Sequence, residues 1–283
     1  MLQNYKNIQF ILCNCNQGQL KKGVEKGGSY LFKNLQNIYQ YNFKKTNIDF
    51  IDHQSNHFKQ NFKHNYDLIS QKTIQNLHRF NVFLGGDHSI NQYILPHYFQ
   101  KYKQDLHLIW LDAHCDLNTE KSSLTKNTHG MSVAKIFNID HNNIYKKYNY
   151  KPNIQKQLTY IGPRDLDLFE IELIHNLDIN FYSTYYCLYN SIYNFNIPKN
   201  KPIYISFDVD VLDSKYVPGT GTPVSNGLHI YHFLKIIQYL KQNGNILVGM
   251  DVVEYNPKLD IKQKSNHNIS YLIKYILDQS QIK

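Results

Sequence analysis

The chain has 283 residues, of which 42% are hydrophobic, 14% aromatic and 19% charged, so intrinsically disordered, collagen-like and coiled-coil proteins are excluded. Its 31 basic residues exceed its 22 acidic ones and give a net charge of +9. All the basic residues except Arg79 and Arg164 are scattered lysines. Because base readout and bidentate phosphate binding favour arginine, we expect no nucleic acid partner.

Other features of the composition concern the cellular compartment. No apolar run approaches the roughly 18 to 20 residues that a membrane span requires, so none is predicted. The four cysteines are too few and too dispersed for a disulfide framework, and Cys13 and Cys15 are predicted to be strand residues rather than zinc ligands. With no targeting segment evident, these features favour a reducing, cytoplasmic location.

Eight short apolar runs, rich in β-branched and aromatic residues, predict buried strands. In chain order they are Ile8–Cys13, Ile48–Ile51, Val82–Leu84, Leu106–Leu111, Leu158–Ile161, Ile179–Tyr182, Ile203–Phe207 and Ile246–Val252. Helical spacing predicts helices at Tyr30–Tyr41, Ile90–Tyr102 and Leu228–Leu240, the last ending at Gly244. This alternation predicts a single domain over residues 1–283, with a three-layer αβα arrangement around a mainly parallel sheet. Residues 138–156 and 183–201 are expected to be surface connections.

Acidic and histidine side chains follow several of the predicted strands. The motifs are GGDHS at 85–89, DAHCD at 112–116, DVD at 208–210 and DVVE at 251–254. In a parallel sheet, ligands bind at the carboxyl ends of the strands. In a chain that is basic overall, such a concentration of carboxylates at one edge indicates a cation site.

Six of these side chains form a candidate metal-binding set. They are His88, Asp112, His114, Asp116, Asp208 and Asp210. Residues two apart in extended backbone point to the same side, so the spacing would bring the side chains of each motif together. Six oxygen and imidazole ligands are enough for two divalent ions, and the excess of carboxylates favours manganese over zinc. Two ions about 3.5 to 4 Å apart can share a water and lower its pKa for attack on a substrate carbon.

Each of these residues also has an ordinary structural interpretation. A single aspartate is commonly a helix N-cap or a turn residue. Asp87 could cap the helix that follows it and leave His88 without a chemical role. The presence of all six residues after strand ends favours the metal site.

The motifs, their order and their spacing resemble the ureohydrolases, which hydrolyse guanidino groups at a dimanganese site. Three further stretches are similar to arginases: the glycine-rich segment 18–27, the N-x-H-G at 127–130, and G-T-G-T-P at 219–223. The resemblance covers about residues 8 to 257. It implies an arginase/deacetylase-like fold, hydrolysis of L-arginine to L-ornithine and urea by a hydroxide bridging two Mn²⁺ ions, and a homotrimer or a multiple of trimers.

The resemblance also implies how the ligands divide and which residues act on the substrate. For one ion it implies His88, Asp112, Asp116 and Asp210. For the other it implies His114, Asp208 and the same three aspartates. Asp116 is expected to pass a proton to the leaving amine, Glu254 to pair with the guanidinium, and His129 to exchange protons with solvent.

A second group of residues is expected to recognise the amino-acid end of the substrate. The group is Asn118, Thr125, Asn127, Asp167, Glu170 and Thr222. By resemblance, Asn118 and Thr125 contact the α-carboxylate, and Asp167 and Glu170 receive the α-amino group. Because agmatine lacks the carboxylate, this group favours arginine over agmatine. Ordinary loop polarity is the alternative interpretation.

The sequence departs from the arginase pattern on the substrate loop. The familiar S-G-N-L-H-G is T-K-N-T-H-G here, so Lys126 replaces a glycine and Thr128 is a second threonine. Lys126 either helps to hold a carboxylate or points to solvent. These changes leave open another ureohydrolase, such as an agmatinase or a formimidoylglutamase, and a catalytically silent binding or regulatory protein of the same fold.

Overall fold

The computed structural model describes residues 7–40, 43–50, 58–73, 79–139 and 151–279. Eight strands form one parallel sheet in the order β2-β1-β3-β8-β7-β4-β5-β6. The strands are β1 (Ile8–Asn14), β2 (Lys44–Asp49), β3 (Phe80–Leu84), β4 (His107–Leu111), β5 (Leu158–Ile161), β6 (Asn180–Tyr182), β7 (Pro202–Asp208) and β8 (Ile246–Val253). The predicted parallel sheet is therefore confirmed.

Helices cover both faces of the sheet. Within the described ranges they are α1 (Gly27–Tyr39), α2 (Phe58–Thr73), α3 (Asn91–Tyr102), α4 (Ser132–Ile136), α5 (Ile154–Gln157), α6 (Leu168–Asn176), α7 (Thr184–Tyr189), α8 (Ile230–Gln242) and α9 (Lys264–Gln279). One buried apolar cluster joins α1, α8 and α9 to side chains such as Phe10, and another joins α2, α3 and α4 to side chains such as Ile11. Because neighbouring strand residues serve opposite clusters, the arrangement is the predicted three-layer αβα.

Among the predicted elements, β2 and α1 differ most from the observed boundaries at their first residues. β2 is an edge strand in which only Ile48 is buried, so its polar first half carried no apolar signal, and residue 51 lies outside the described residues. Helix α1 begins at Gly27, three residues before the predicted start. A Cβ on Gly28 would lie 2.3 Å from the carbonyl oxygen of Leu84, so glycine allows the start of this helix to approach the end of β3.

The prediction that residues 183–201 form only a surface connection is wrong. This stretch contains α7, and Phe195 and Ile197 are buried in the core. Phe195 stacks on Tyr182 of β6 with a centroid distance of 4.2 Å. Aromatic packing therefore orders a segment whose polar composition suggested a loop. Of the other predicted connection, residues 140–150 lie outside the described part of the chain, and 154–157 form α5.

Within the described part of the chain, no helix has both the length and the apolar character that crossing a membrane would require.

Buried His107 provides a test of how acid affects this fold. Its Nδ1 lies 3.2 Å from the carbonyl oxygen of Lys156, and its Nε2 lies 2.8 Å from Oγ1 of Thr159, which suits a neutral ring. Burial lowers the pKa of His107 to about 4. The stability that the neutral ring contributes is therefore present above the unfolded-state pKa and is lost as the pH falls toward the folded-state value.

We expect His107→Gln, whose amide can keep both hydrogen bonds, to weaken the acid sensitivity. Between pH 7.5 and 5, the wild type should lose about 2 kcal/mol more unfolding free energy than the variant does. Urea denaturation at both pH values measures the difference, and every other titrating group is common to the two proteins. Parallel pH profiles would contradict the prediction.

Candidate metal centre and substrate pocket

The four acidic motifs follow four neighbouring strands at the centre of the sheet. His88 follows β3, Glu254 follows β8, Asp208 ends β7 and Asp112 follows β4. The strand order β3-β8-β7-β4 brings their carboxyl ends side by side. A pocket of about 240 Å³ opens there, lined by every predicted site residue except Asp112 and Asp210. Strands that are distant along the chain thus form one site.

The first candidate ion position lies around His88. Its Nδ1 is 3.1 Å from Oδ2 of Asp112, 3.2 Å from Oδ2 of Asp116 and 3.2 Å from Oδ2 of Asp208. All four side chains are buried. Among the described residues, neither His88 Nδ1 nor Asp116 Oδ2 has a hydrogen-bond partner. A cation would satisfy both atoms, so the residues fit a bound metal.

The second candidate position lies around His114, which is partly exposed to the pocket. Its Nδ1 is 3.4 Å from Oδ1 of Asp112 and 3.2 Å from Oδ2 of Asp210. Asp112 directs one carboxylate oxygen to each histidine and therefore belongs to both groups. Two adjacent groups that share a carboxylate are what a two-ion site requires.

The extended backbone predicted for the motifs at 112–116 and 208–210 is wrong. Strand β4 ends at Leu111, before Asp112, and a 3₁₀ turn at Val209–Val211 follows β7. Short turns bring the ligands together instead, because Asp112 accepts a hydrogen bond from the His114 N–H at 2.7 Å. Asp116 itself adopts a left-handed backbone with φ of 52°.

The turn after β7 also separates its two aspartates. Asp208 lies beside His88 and accepts a hydrogen bond from the backbone N–H of Asp210 at 2.9 Å. Asp210 lies beside His114. This division differs from the one that the family resemblance implies, which placed Asp208 with His114.

Burial and, after it, charge repulsion govern the protonation of the site in the absence of cations. Burial raises the pKa values of Asp116 and Asp208 well above their usual range, and the neighbouring carboxylates Asp112 and Asp210 raise them further. Burial lowers the pKa of His88, but contacts with Asp112 and Asp208 leave it raised well above normal. The cluster therefore retains protons that divalent cations would displace on binding.

A buried hydrogen-bond chain fixes the tautomer of His88. Its Nε2 lies 2.8 Å from Ser206 Oγ, which also accepts a hydrogen bond from Asn91 Nδ2 at 2.8 Å. The Ser206 hydroxyl donates to Asp251 Oδ1 at 3.0 Å. Because the hydroxyl proton is used by Asp251, His88 must donate from Nε2, so Nδ1 is the nitrogen whose proton a metal would displace.

Sequence reasoning missed two residues that support the ligands. Trp110, the single tryptophan of the chain, stacks on His88 at a centroid distance of 4.1 Å, and its Nε1 donates to Asp112 Oδ2 at 3.0 Å. Trp110 and Ser206 each precede an acidic ligand by two residues. That spacing was the available signal, because strand alternation points such pairs to the same side.

Asp87 also performs the ordinary role considered for it. Its Oδ1 accepts a hydrogen bond from the Ser89 N–H at 3.0 Å and its Oδ2 accepts one from the Gly18 N–H at 2.8 Å. The capping interpretation is therefore correct for Asp87. It does not apply to His88, which faces three carboxylates.

Glu254 is fixed before any substrate binds. Its Oε1 accepts a hydrogen bond from the His88 N–H at 2.9 Å and lies 3.1 Å from His129 Nδ1. Its Oε2 accepts a hydrogen bond from Gln19 Nε2 at 2.6 Å, a contact that sequence reasoning did not predict. Glu254 has a left-handed backbone with φ of 65°. One acceptor position on Oε2 remains for a guanidinium.

The protonation of His129 follows from this contact. Burial lowers its pKa, but the Glu254 carboxylate more than offsets that effect and raises the pKa to about 9. Nδ1 of His129 therefore carries a proton and donates it to Glu254 Oε1. Bound cations would oppose this positive charge and move the pKa back toward neutrality.

Three of the predicted recognition residues, Asn118, Asp167 and Glu170, lie together in the pocket lining and are joined by hydrogen bonds. Asn118 donates from Nδ2 to Asp167 Oδ2 at 2.7 Å and accepts from Ser122 Oγ at 2.8 Å. Glu170 is buried, and its two carboxylate oxygens accept the backbone N–H groups of Leu117 and Asp167 at 3.0 and 3.1 Å. Glu170 thus holds the wall in place through the backbone.

The substrate loop supplies a further part of the pocket lining. Thr125 Oγ1 accepts the Asn127 N–H at 3.3 Å. Lys126 has φ of 60° and donates from Nζ to the carbonyl oxygen of Glu120 at 2.6 Å, so its charge is directed to the backbone. Thr222 lines the pocket and donates to Asp210 Oδ2 at 3.1 Å. The loop also contributes Ser123, whose place in the pocket was not predicted.

Comparisons with known proteins agree with this architecture. Residues 6–277 match the model of the arginase family. Arginase of Plasmodium berghei is 32% identical over 256 residues, covering 82% of this chain and 70% of that protein. Arginase-1 of Mus musculus is 30% identical over 288 aligned residues, covering 90% and 86% respectively. Crystalline arginase from Bacillus subtilis superposes with a TM-score of 0.79 at 25% identity, covering 95% of this chain and 98% of that one. The chain belongs to the arginase family.

Proposed function

We propose that this chain hydrolyses L-arginine to L-ornithine and urea at a site that holds two Mn²⁺ ions. The observation that carries the proposal is the pair of His/Asp groups that share Asp112. Family membership supports a metal-dependent ureohydrolase. The choice of arginine depends on the polar wall that contains Asn118 and Asp167.

The ligand chemistry supports manganese. Carboxylate oxygens outnumber imidazoles, and Cys115 between the two ligands His114 and Asp116 is buried with a pKa raised by burial, so it offers no thiolate. His88 with Asp112, Asp116 and Asp208 would hold one ion. His114 with Asp112 and Asp210 would hold the other. Two such ions would supply a water of lowered pKa and positive charge next to the substrate carbon.

Glu254 orients the guanidinium. Its carboxylate is fixed by Gln19, His129 and the His88 N–H, so little ordering remains when the substrate enters. The remaining acceptor position on Oε2 pairs with a substrate N–H. This contact turns the guanidinium carbon toward the ligand groups.

Asp116 and His129 move the protons. Asp116 borders the pocket, and the carboxylate oxygen that is not directed at the metal position, Oδ1, can accept the proton of the attacking water. The same oxygen then delivers that proton to the leaving amine. His129 is partly exposed and returns protons to solvent.

The wall formed by Asn118, Thr125, Asn127 and Asp167 recognises the amino-acid end of the substrate. Asn118 retains one amide N–H beyond its bond to Asp167, and the Thr125 hydroxyl proton is a second donor for a carboxylate. Asp167 offers an oxygen to the α-amino group. Agmatine would leave the carboxylate donors without a partner.

The proposal has three further parts, which concern domain organisation, location and assembly. We propose that residues 1–283 form one domain, since one sheet joins residues 8 to 253. We propose a cytoplasmic location, which is consistent with four free, buried cysteines. The assembly proposed from family resemblance is a homotrimer or a multiple of trimers.

Urea release tests the activity and the substrate together. With Mn²⁺-loaded protein, we expect urea from arginine at least about tenfold faster than from agmatine, because one charged hydrogen-bonding group is lost. Asp116→Ala should lower the rate by about a hundredfold or more. Urea from agmatine alone would indicate another ureohydrolase, and bound Mn²⁺ without urea from either substrate would indicate a silent protein.

Ser206→Ala tests the support of His88. Losing the hydroxyl frees the ring to change tautomer, so we expect Mn²⁺ affinity to fall about 10- to 100-fold. Quenching of the single tryptophan, Trp110, by paramagnetic Mn²⁺ reports binding next to His88. Ser270→Ala is the matched control, because Ser270 is also buried but donates to Asn266 on α9. Equal affinities for Ser206→Ala and wild type would contradict this role.

A further inference from the structure

Arg164 is one of two arginines among 31 basic residues, in a chain that otherwise uses lysine. It follows β5 and is half-buried. It does not line the pocket, and the proposed chemistry does not use it. In a chain with so few arginines, Arg164 is expected to make contacts that a lysine ammonium could not make.

The guanidinium bonds to backbone carbonyls of two segments near the site. Its Nη2 donates to the carbonyl oxygens of Asp210 at 2.7 Å and Val224 at 2.8 Å. Its Nε donates to the carbonyl oxygen of Ser225 at 3.0 Å. Longer contacts reach Gly162 and Val211 at 3.3 Å and Leu212 at 3.4 Å. The side chain thus ties the turn that carries Asp210 to the 224–225 segment.

The backbone of Arg164 connects this turn to the other acidic loop. Its N–H donates to the carbonyl oxygen of Ala113 at 2.9 Å. The Ala113 N–H in turn donates to Asp210 Oδ1 at 3.1 Å. One residue therefore contacts the loop between Asp112 and His114 and also the main chain of Asp210. Asp112, His114 and Asp210 form the second candidate ion position.

The contacts of Arg164 favour a planar guanidinium over a lysine ammonium. A guanidinium directs five N–H groups in fixed directions, whereas an ammonium has three donors on one flexible atom. Packing is also close, since a Cβ on Gly227 would lie 2.7 Å from Nη2. Arg164 binds the carbonyl of Asp210 and not its carboxylate, which leaves Oδ2 directed toward His114.

We propose that Arg164 is a positioning residue that fixes Asp210 and thereby sets the affinity of the second metal position, around His114. This inference rests on the proposed two-ion site. It separates the two positions, because Arg164 bonds directly to the main chain of Asp210, whereas at the first position only Asp208 contacts that residue, and His88 is held by Ser206 and Glu254. Loss of the guanidinium should therefore weaken one ion selectively.

The test is Mn²⁺ titration of metal-free Arg164→Lys protein without substrate. Free Mn²⁺ is followed by electron paramagnetic resonance, and binding near His88 by quenching of Trp110. We expect the first equivalent to bind with wild-type affinity and to quench Trp110, and the second to bind about 10- to 100-fold more weakly. Arg79→Lys, a change at the other arginine, should titrate as wild type.

Thermal unfolding of the metal-free proteins provides the check on folding. If Arg164→Lys is too unstable to purify, Arg164→Gln, which keeps a planar amide donor, provides the same comparison. If the Arg164 variant binds two ions with wild-type affinity, the positioning role is overturned and the two-ion site is not affected. Equal weakening of both ions in the variant would have the same meaning. A single ion bound by the wild type would overturn both proposals.

Discussion

The central constraint on this protein is the burial of four aspartates at one edge of a sheet. Asp112, Asp116, Asp208 and Asp210 are each less than a tenth exposed and lie around two histidines. Carboxylates removed from water and placed this close repel one another strongly, and the repulsion can be relieved only by protons or by cations. The raised pKa values of Asp116 and Asp208 correspond to relief of the repulsion by protonation. The arrangement of the ligand atoms also fits relief by bound cations. Much of the surrounding structure serves to hold these charges in position.

That support is hydrogen-bonded, aromatic and partly strained. Trp110 stacks on His88 while the Ser206 hydroxyl fixes its tautomer, so the ligand nitrogen has one orientation. Asp116 and Glu254 both have left-handed backbones, which non-glycine residues adopt at a cost of roughly 1 to 3 kcal/mol each. The surrounding contacts offset this cost, and the result is a site whose ligand and substrate-binding groups are in place before the ligand arrives.

The polar side chains that line the pocket are likewise held in place by hydrogen bonds before any substrate binds. Asn118 and Asp167 bond to each other, and Glu170 holds the backbone beneath them, so the wall presents donors and acceptors in fixed places. The unusual lysine of the substrate loop, Lys126, is directed to a carbonyl and adds no charge to the interior through its Nζ. Departure from the family sequence at this position therefore does not remove the polar groups on which the proposed amino-acid recognition depends.

The sequence by itself determined the approximate positions of the eight strands and the candidate ligand groups, because apolar runs and the polar residues that follow them are local features. It failed where order depends on distant packing, as at the edge strand β2 and in the 183–201 segment. It also could not give the orientation of Asp208 and Asp210, which a 3₁₀ turn sets. Only the tertiary structure decided that β3, β8, β7 and β4 are neighbours, and so that Gln19 meets Glu254 across 235 residues and His88 meets Ser206 across 118. No local pattern encodes strand order, because that order results from how the helices pack on the completed sheet.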